Sequence, residues 1–322
     1  MSDIQDIASP PAVSAPTDSA RALPLAGYVF AALGALLFAT KGIIIKLMYA
    51  EQIGVETLLA LRMAFAIPLY LIIALWTLRR RAAKAMGLPP RSVLLRAALV
   101  GLLGYYLASY LDFLGLVFIT AHFERLILFT YPLFVMIFGA LFFGGRMTAW
   151  GIAALVLSYL GLAIIFSAGI THSGSDTTIG GLLVFGAALC FALYQLLAKQ
   201  SITVMGSAIF TCIAMISAGI AALVQYVVVH GLMLPSLSAY ALAMCAALAI
   251  GATIMPSFLL NAALERIGPQ ATAAIGTLSP VGTIILAVII LGEPFSLTDG
   301  LGTLFVLAGV GLYSWMDQRA RN

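Results

Sequence analysis

The chain has 322 residues, 63% of them hydrophobic and 9% charged, with a mean hydropathy of +1.11. A soluble domain carries about 25% charged residues, so this chain cannot clothe a water-facing surface; an ordinary soluble domain and a disordered chain are excluded. The pI near 9.0 and net charge of +4 do not make a nucleic-acid binder either, because that function needs clustered bases on a soluble fold. The bilayer is the solvent.

In chain order, residues 1–24 hold Asp3, Asp6, Asp18, several Pro and Ser and no apolar core. They read as a disordered cytoplasmic tail, not a signal peptide. Ten apolar segments follow, each near the roughly 20 residues of a spanning helix: 25–48, 57–78, 93–115, 122–143, 148–168, 179–200, 206–230, 239–262, 270–291 and 297–316. The runs are continuously apolar and do not alternate, which excludes a β-barrel. The expected fold is an all-α membrane protein with a first five-helix repeat at 25–168, a second at 179–316 and a cytoplasmic tail at 317–322. Cys190, Cys212 and Cys245 lie inside apolar runs and read as small core residues.

Orientation follows from the cations. With the N-terminus in the cytoplasm, the inner set is Arg21, Arg79, Arg80, Arg81, Lys84, Arg91, Arg96, Arg146, Lys199, Arg266, Arg319 and Arg321, twelve of sixteen. The outer loops carry Glu51, Glu56, Asp176, Glu293 and Asp299 and no Lys or Arg. This asymmetry places both termini inside.

The halves repeat. Ala35-Leu36-Leu37-Phe38-Ala39 with Lys46 returns as Ala188-Leu189-Cys190-Phe191-Ala192 with Lys199, at an offset of 153 residues. Pro132 and Pro280, Gly144 and Gly292, and Gly161 and Gly309 match at an offset of 148. Five spans per half is an odd number, so the second half enters the membrane from the opposite side. The repeats are inverted about a pseudo-two-fold axis, an architecture suited to alternating access.

Arg62, Tyr131-Pro132-Leu133, Ser279-Pro280-Val281, Leu291-Gly292-Glu293-Pro294 and Gly309-Val310, in this order within ten spans, resemble the drug/metabolite transporter superfamily, specifically its EamA-type ten-helix exporters. The similarity covers about residues 25–316. One departure is Gly144-Gly145, where the acidic residue of Gly292-Glu293 is missing from the first half. The chain is also similar to bacterial amino-acid exporters, including those for aromatic amino acids. The resemblance implies a multi-pass protein of the bacterial cytoplasmic membrane, and a monomer is compatible with it.

Matched prolines in inverted halves point to a substrate site, so Pro132 and Pro280 are the gating candidates, each expected to free a carbonyl within the membrane. Lys41 lies deep in the first span, where a charge costs roughly 2.5–3.5 kcal/mol on insertion scales; it should face a cavity or a partner, and a substrate carboxylate is one such partner. Arg62 and Glu124 read as structural charges. The expected partners of Arg62 are Glu51, Glu56, Asp112 or Glu124. Glu124 and Arg125 are adjacent and should point to different faces, and His122 reads as a solvated boundary residue. Phe38, Tyr105, Tyr106, Tyr131, Ser257, Thr277 and Ser279 complete the substrate-binding set, since tyrosine joins an apolar face to a hydroxyl. Ala31, Ala35 and Ala39, like Gly104 and Ala108, recur at a four-residue spacing that lets helices approach closely.

Asp112 and Glu124 fall near the outer ends of their spans, leaving no carboxylate at a span centre. Ion-driven antiporters need one, so the expected mode is facilitated export down the substrate gradient. Proton-coupled efflux of drugs or other small metabolites is the alternative. No Walker motif, metal-ligand spacing or nucleophile elbow occurs. The expectation is therefore a transporter of amino acids of broad specificity, not an enzyme, with no cofactor and with the lipid bilayer and a small-molecule substrate as its partners.

Overall fold

The structure, a computed structural model, describes residues 18–83, 87–144, 149–173, 175–232, 236–276 and 278–321. These residues form ten helical rods: α1 (Asp18–Ala50), α2 (Val55–Ala83), α3 (Arg91–Phe118), α4 (Ala121–Phe142), α5 (Ala149–Ser173), α6 (Ser175–Met205), α7 (Ser207–His230), α8 (Ala239–Pro269), α9 (Ala271–Leu291) and α10 (Leu297–Arg321). Eight are long and apolar enough to cross a membrane. In α5 and α10 the apolar stretch among the described residues is shorter, at Ala149–Gly161 and Leu297–Gly309. Helical geometry runs past the apolar segments at both ends, from Asp18 and to Arg321; residues 1–17 of the expected tail lie outside the described residues.

Local chemistry sets the helix limits. Glu56 in the first turn of α2 and Arg80 and Arg81 in its last turn oppose the helix dipole at both ends. The Ser238 hydroxyl accepts from the Ala241 N–H and caps α8. Between α8 and α9, Gly268 takes φ 78°, a conformation costly for a side-chain-bearing residue, and Pro269 follows it. The outer surface is apolar, with Leu182, Val228, Ile289 and Leu304 exposed, as lipid contact requires.

Helix α1 packs on α8 and α9, α6 on α3 and α4, α2 on α7, and α5 on α10. This pairing maps onto itself when the halves are exchanged, which is the two-fold relation that the repeated sequence predicts. Gly161 and Gly309, matched at the offset of 148, sit at the self-paired contact of α5 and α10. A Cβ on Gly161 would fall 2.5 Å from the Gly302 carbonyl oxygen, and one on Gly309 would fall 2.6 Å from that of Ala154.

Two helices carry matched departures from α geometry. A π-helical turn interrupts α3 at Leu102–Leu107 and another interrupts α8 at Ile250–Ile254. Leu102 and Ile250 are again 148 residues apart. Two further helices break at equivalent points, α4 at Phe129 and Thr130 and α9 at Gly276. Pro132 and Pro280 then lie in the first turns of the segments that resume. The sequence reading expected each proline to remove a hydrogen bond inside a helix and free a carbonyl there. Here each proline restarts one, because a first-turn position has no donor to lose.

The end of α9 is fastened to the start of α4. Glu293 accepts from the Ala121 N–H at 2.7 Å and the His122 N–H at 3.2 Å, and its Oε2 lies 2.8 Å from His122 Nδ1. His122 Nε2 is 3.9 Å from Asp299. His122 is therefore buried and partnered, not the solvated boundary residue expected, because the Glu293 loop folds over it. Burial pushes the Glu293 carboxyl up, but the bonds from the His122 ring and the two N–H groups outweigh this and hold it below its ordinary 4.5. A depressed carboxyl stabilises the fold above its ordinary value and loses that contribution as pH falls through the folded value. Thermal unfolding of the detergent-purified protein should accordingly lose midpoint on acidification below the ordinary glutamate range. Glu293→Gln should flatten that part of the profile; an unchanged slope would show that Asp299 or another carboxyl is responsible.

Candidate substrate cavity

The four interruptions meet at one cavity of about 900 Å³, counting its open mouth. Gly104 and Tyr105 come from the π turn of α3, and Ala252 and Thr253 from that of α8. Leu128, Phe129 and Tyr131 flank the break in α4, and Thr272, Gly276 and Ser279 that in α9. Each half thus contributes one π turn and one broken helix, at equivalent positions. Such departures expose backbone groups that a regular helix would satisfy internally, and in membranes they are tolerated where they line a cavity.

Aromatic rings form much of the wall. Tyr131 stands edge-on to Phe129 and Phe191, with centroids 5.7 and 5.0 Å away, and Tyr105 packs on Tyr194 at 4.9 Å. Tyr194 fits because residue 104 is glycine: a Cβ there would fall 2.3 Å from the Tyr194 ring. The Tyr194 hydroxyl lies 2.7 Å from that of Tyr105 and 2.6 Å from Asn261 Oδ1. Asn261 Nδ2 donates to Tyr105 and to Thr211, both at 2.9 Å. This network ties α3, α6, α7 and α8 together behind the cavity wall. Tyr194→Phe should leave Asn261 Oδ1 without its donor and cost about 1–3 kcal/mol, read as a lower unfolding midpoint; an unchanged midpoint would mean that water replaces the hydroxyl.

Charged side chains gather around Lys41. Lys41 Nζ lies 2.5 Å from Asp112 Oδ2, and both residues are almost fully buried. Glu124 and Arg125 lie beside them, with Arg125 Nε 3.7 Å from Glu124 Oε2 and Arg125 Nη2 donating to the Phe38 carbonyl at 3.0 Å. Among the described residues no N–H or hydroxyl donates to either Glu124 oxygen, and its carboxyl lies within hydrogen-bond reach of the Asp112 carboxyl. The sequence reading put Glu124 and Arg125 on different faces and Asp112 near the outer water. Instead all three are buried with Lys41, since isolated charges in this apolar medium gain most by collecting.

Arg62 departs from expectation in another way. It is buried and lines the cavity, yet among the described residues no carboxylate lies within ion-pair distance of it. Its guanidinium lies over the Phe113 ring at 4.7 Å, and its Nε and Nη2 atoms have no hydrogen-bond partner.

Of the residues nominated from sequence, the fold brings Phe38, Lys41, Tyr105, Tyr131 and Ser279 together on the cavity wall, with Arg62. Tyr106 is half-buried and packs against the core beside the cavity. Ser257 is turned to Tyr70, 2.7 Å from its hydroxyl, and donates to the Ile254 carbonyl. Thr277 lies outside the described residues. Pro132 and Pro280 are buried next to the lining rather than in it. Among the lining residues not nominated are Phe129, Phe191, Arg125, Thr253 and Asp112, the last named only as a possible partner of Arg62. The signal for Asp112 was present, because Lys41 and Asp112 are opposite charges in apolar runs, and each makes burial of the other tolerable.

The sequence pattern of the EamA-like transporter family matches twice, at residues 25–167 and 178–315. A Bacillus subtilis (strain 168) protein named Uncharacterized transporter YcbK is 29% identical over 297 residues, covering 88% of this chain and 92% of its own length. A Clostridium kluyveri protein named Uncharacterized transporter is 21% identical over 288 residues, covering 88% and 91%. A solved crystal structure superposes with a TM-score of 0.62 at 16% identity, over 94% of this chain and 99% of that one, and shares the fold. With two matches that together take in nearly all of its apolar length, the chain belongs to the EamA-like transporter family and is a multi-pass membrane transporter.

Proposed function

We propose that the protein exports amino acids, neutral and aromatic ones included, across a bacterial cytoplasmic membrane by alternating access. The observation that carries this reading is the cavity at four matched helix interruptions, two from each half. Exchanging the packings of two equivalent halves around such a site opens it to one side and then to the other. Rings of Phe38, Tyr105, Phe129, Tyr131 and Phe191 suit an apolar side chain, while Lys41, Arg62, Asp112 and Ser279 offer both charge signs and a hydroxyl to its polar end. Purified protein in liposomes should show counterflow of labelled neutral amino acids above empty vesicles; no counterflow for any of them would overturn the reading.

A second reading concerns the driving force. Facilitated export rested on the expected absence of interior carboxylates, and Asp112 and Glu124 are fully buried. Proton-coupled efflux accounts for them, since a buried carboxyl that binds and releases a proton can tie two fluxes together. An imposed pH gradient should then drive accumulation beyond equilibrium in the same liposomes, and equal steady states with and without the gradient would leave the facilitated mode.

A further inference from the structure

We propose that Arg62 and Asp112 form a head-group subsite for an α-amino acid, with the carboxylate on Arg62 and the ammonium on Asp112. The inference rests on the reading above and names the atoms that would perform it.

The two free nitrogens of Arg62 are not an arbitrary pair. Nε and Nη2 lie along one edge of the planar guanidinium, the edge that meets a carboxylate through two parallel hydrogen bonds. Contact with the Phe113 ring, 4.7 Å from the guanidinium carbon, stabilises the cation but supplies no in-plane acceptor for these N–H groups. A buried guanidinium edge without an acceptor is costly, and among the described residues nothing in the fold fills it.

Asp112 shows the complementary lack. Its Oδ2 is taken by Lys41, while its Oδ1 is buried and, among the described residues, is met by no N–H donor; the neighbouring Glu124 carboxyl is the one group within hydrogen-bond reach of the Asp112 carboxylate, and it can donate only when it carries a proton. Asp112 directly precedes Phe113, the ring beneath Arg62, and the Arg62 and Asp112 charges act on one another. The cavity lining therefore holds a bidentate donor edge with no acceptor and a carboxylate oxygen shared with nothing but the Glu124 carboxyl among the described residues, a contact that an ammonium group would replace. A zwitterion carries the matching carboxylate and ammonium on neighbouring atoms. Both protein edges are closed to water as the structure stands, so the head group reaches them as the surrounding interrupted helices move.

Lys41 then has a positioning role. It holds Oδ2 and aims Oδ1. This differs from the sequence reading, in which Lys41 itself met the substrate carboxylate.

The test is competition against labelled L-phenylalanine on the detergent-purified full-length protein, with phenethylamine, which lacks the carboxylate, and 3-phenylpropionate, which lacks the ammonium. In the wild type each analogue should compete about a hundredfold more weakly than phenylalanine, because each leaves one buried edge unpaired. Arg62→Gln should bring phenethylamine level with phenylalanine, and Asp112→Asn should do the same for 3-phenylpropionate. Those ratios report the head group and do not move through a general loss of fold. If a variant does not fold, the wild-type series and Arg62→Lys, which keeps the charge but loses the planar fork, decide. A wild type that binds either analogue as tightly as phenylalanine overturns the subsite. So do folded variants with unchanged ratios, the result expected if the two residues merely bridge each other through water. Binding of phenethylamine but of no amino acid would overturn the amino-acid reading as well.

Discussion

Alanine at Lys41, with Asp112 left in place, is expected to destabilise the fold by about 3–5 kcal/mol. The cause is not the lost lysine but the carboxylate left behind. Asp112 is almost fully buried, it is ion-paired with Lys41, and Glu124 adds a second carboxyl nearby. The double variant Lys41→Met/Asp112→Leu should regain most of the loss, because a well-packed apolar pair commonly replaces a buried ion pair at little cost. The measurement is a double-mutant cycle on thermal unfolding in detergent. An additive cycle, with the double variant as unstable as the sum of the singles, would show that the two side chains are not coupled. The cycle also separates scaffold from site. A folded double variant that has lost flux would place the pair in transport, whereas flux loss in Lys41→Ala alone could come from poor folding.

The second large effect is expected at Gly101→Ala. A Cβ there would fall 2.3 Å from the Ala214 carbonyl oxygen and 2.4 Å from its Cα. These are backbone atoms of α7, which cannot rotate aside as a long side chain could. Helices α3 and α7 must separate just before the π turn that shapes the cavity, and the cost should reach about 3 kcal/mol, the upper part of the usual overpacking range. Gly139→Ala is the control. Among the described residues no atom beyond its own chain neighbours and helix backbone lies within 4 Å of its Cβ position, and alanine in a helix interior is better than glycine by roughly 0.5–1 kcal/mol. The yield of folded protein after extraction and the unfolding midpoint should fall for the first and hold or rise for the second. Equal behaviour of the two would mean that α3 and α7 can slide apart freely.

Several site residues could be found from sequence because their signal is local. Lys41 stands out against Phe38-Ala39-Thr40 and Gly42-Ile43-Ile44. Tyr105 and Tyr131 are deep in their runs, and the offset of 148 residues is visible in Pro132 and Pro280. That offset also locates the π turns, which propensity does not mark: Leu102 to Leu107 and Ile250 to Ile254 read like any other apolar stretch. Small-residue spacing pointed to close packing at Gly104 but not to the ring it admits. That ring belongs to Tyr194, on a helix ninety residues further along.

Composition and order along the chain were enough for a membrane-embedded all-helical fold, for two repeats and for the family. Those properties follow from apolar run length and from repetition within the chain, neither of which depends on how helices pack. Partner choice among the charges does depend on packing. Asp112 with Lys41, Glu293 with His122, and Arg62 over the Phe113 ring are contacts between helices far apart in sequence, and a charge buried in an apolar medium takes the geometry its neighbours leave it. Folding thus turned 9% charged residues, which at first mark only a membrane protein, into a buried ion pair and a buried guanidinium beside one cavity.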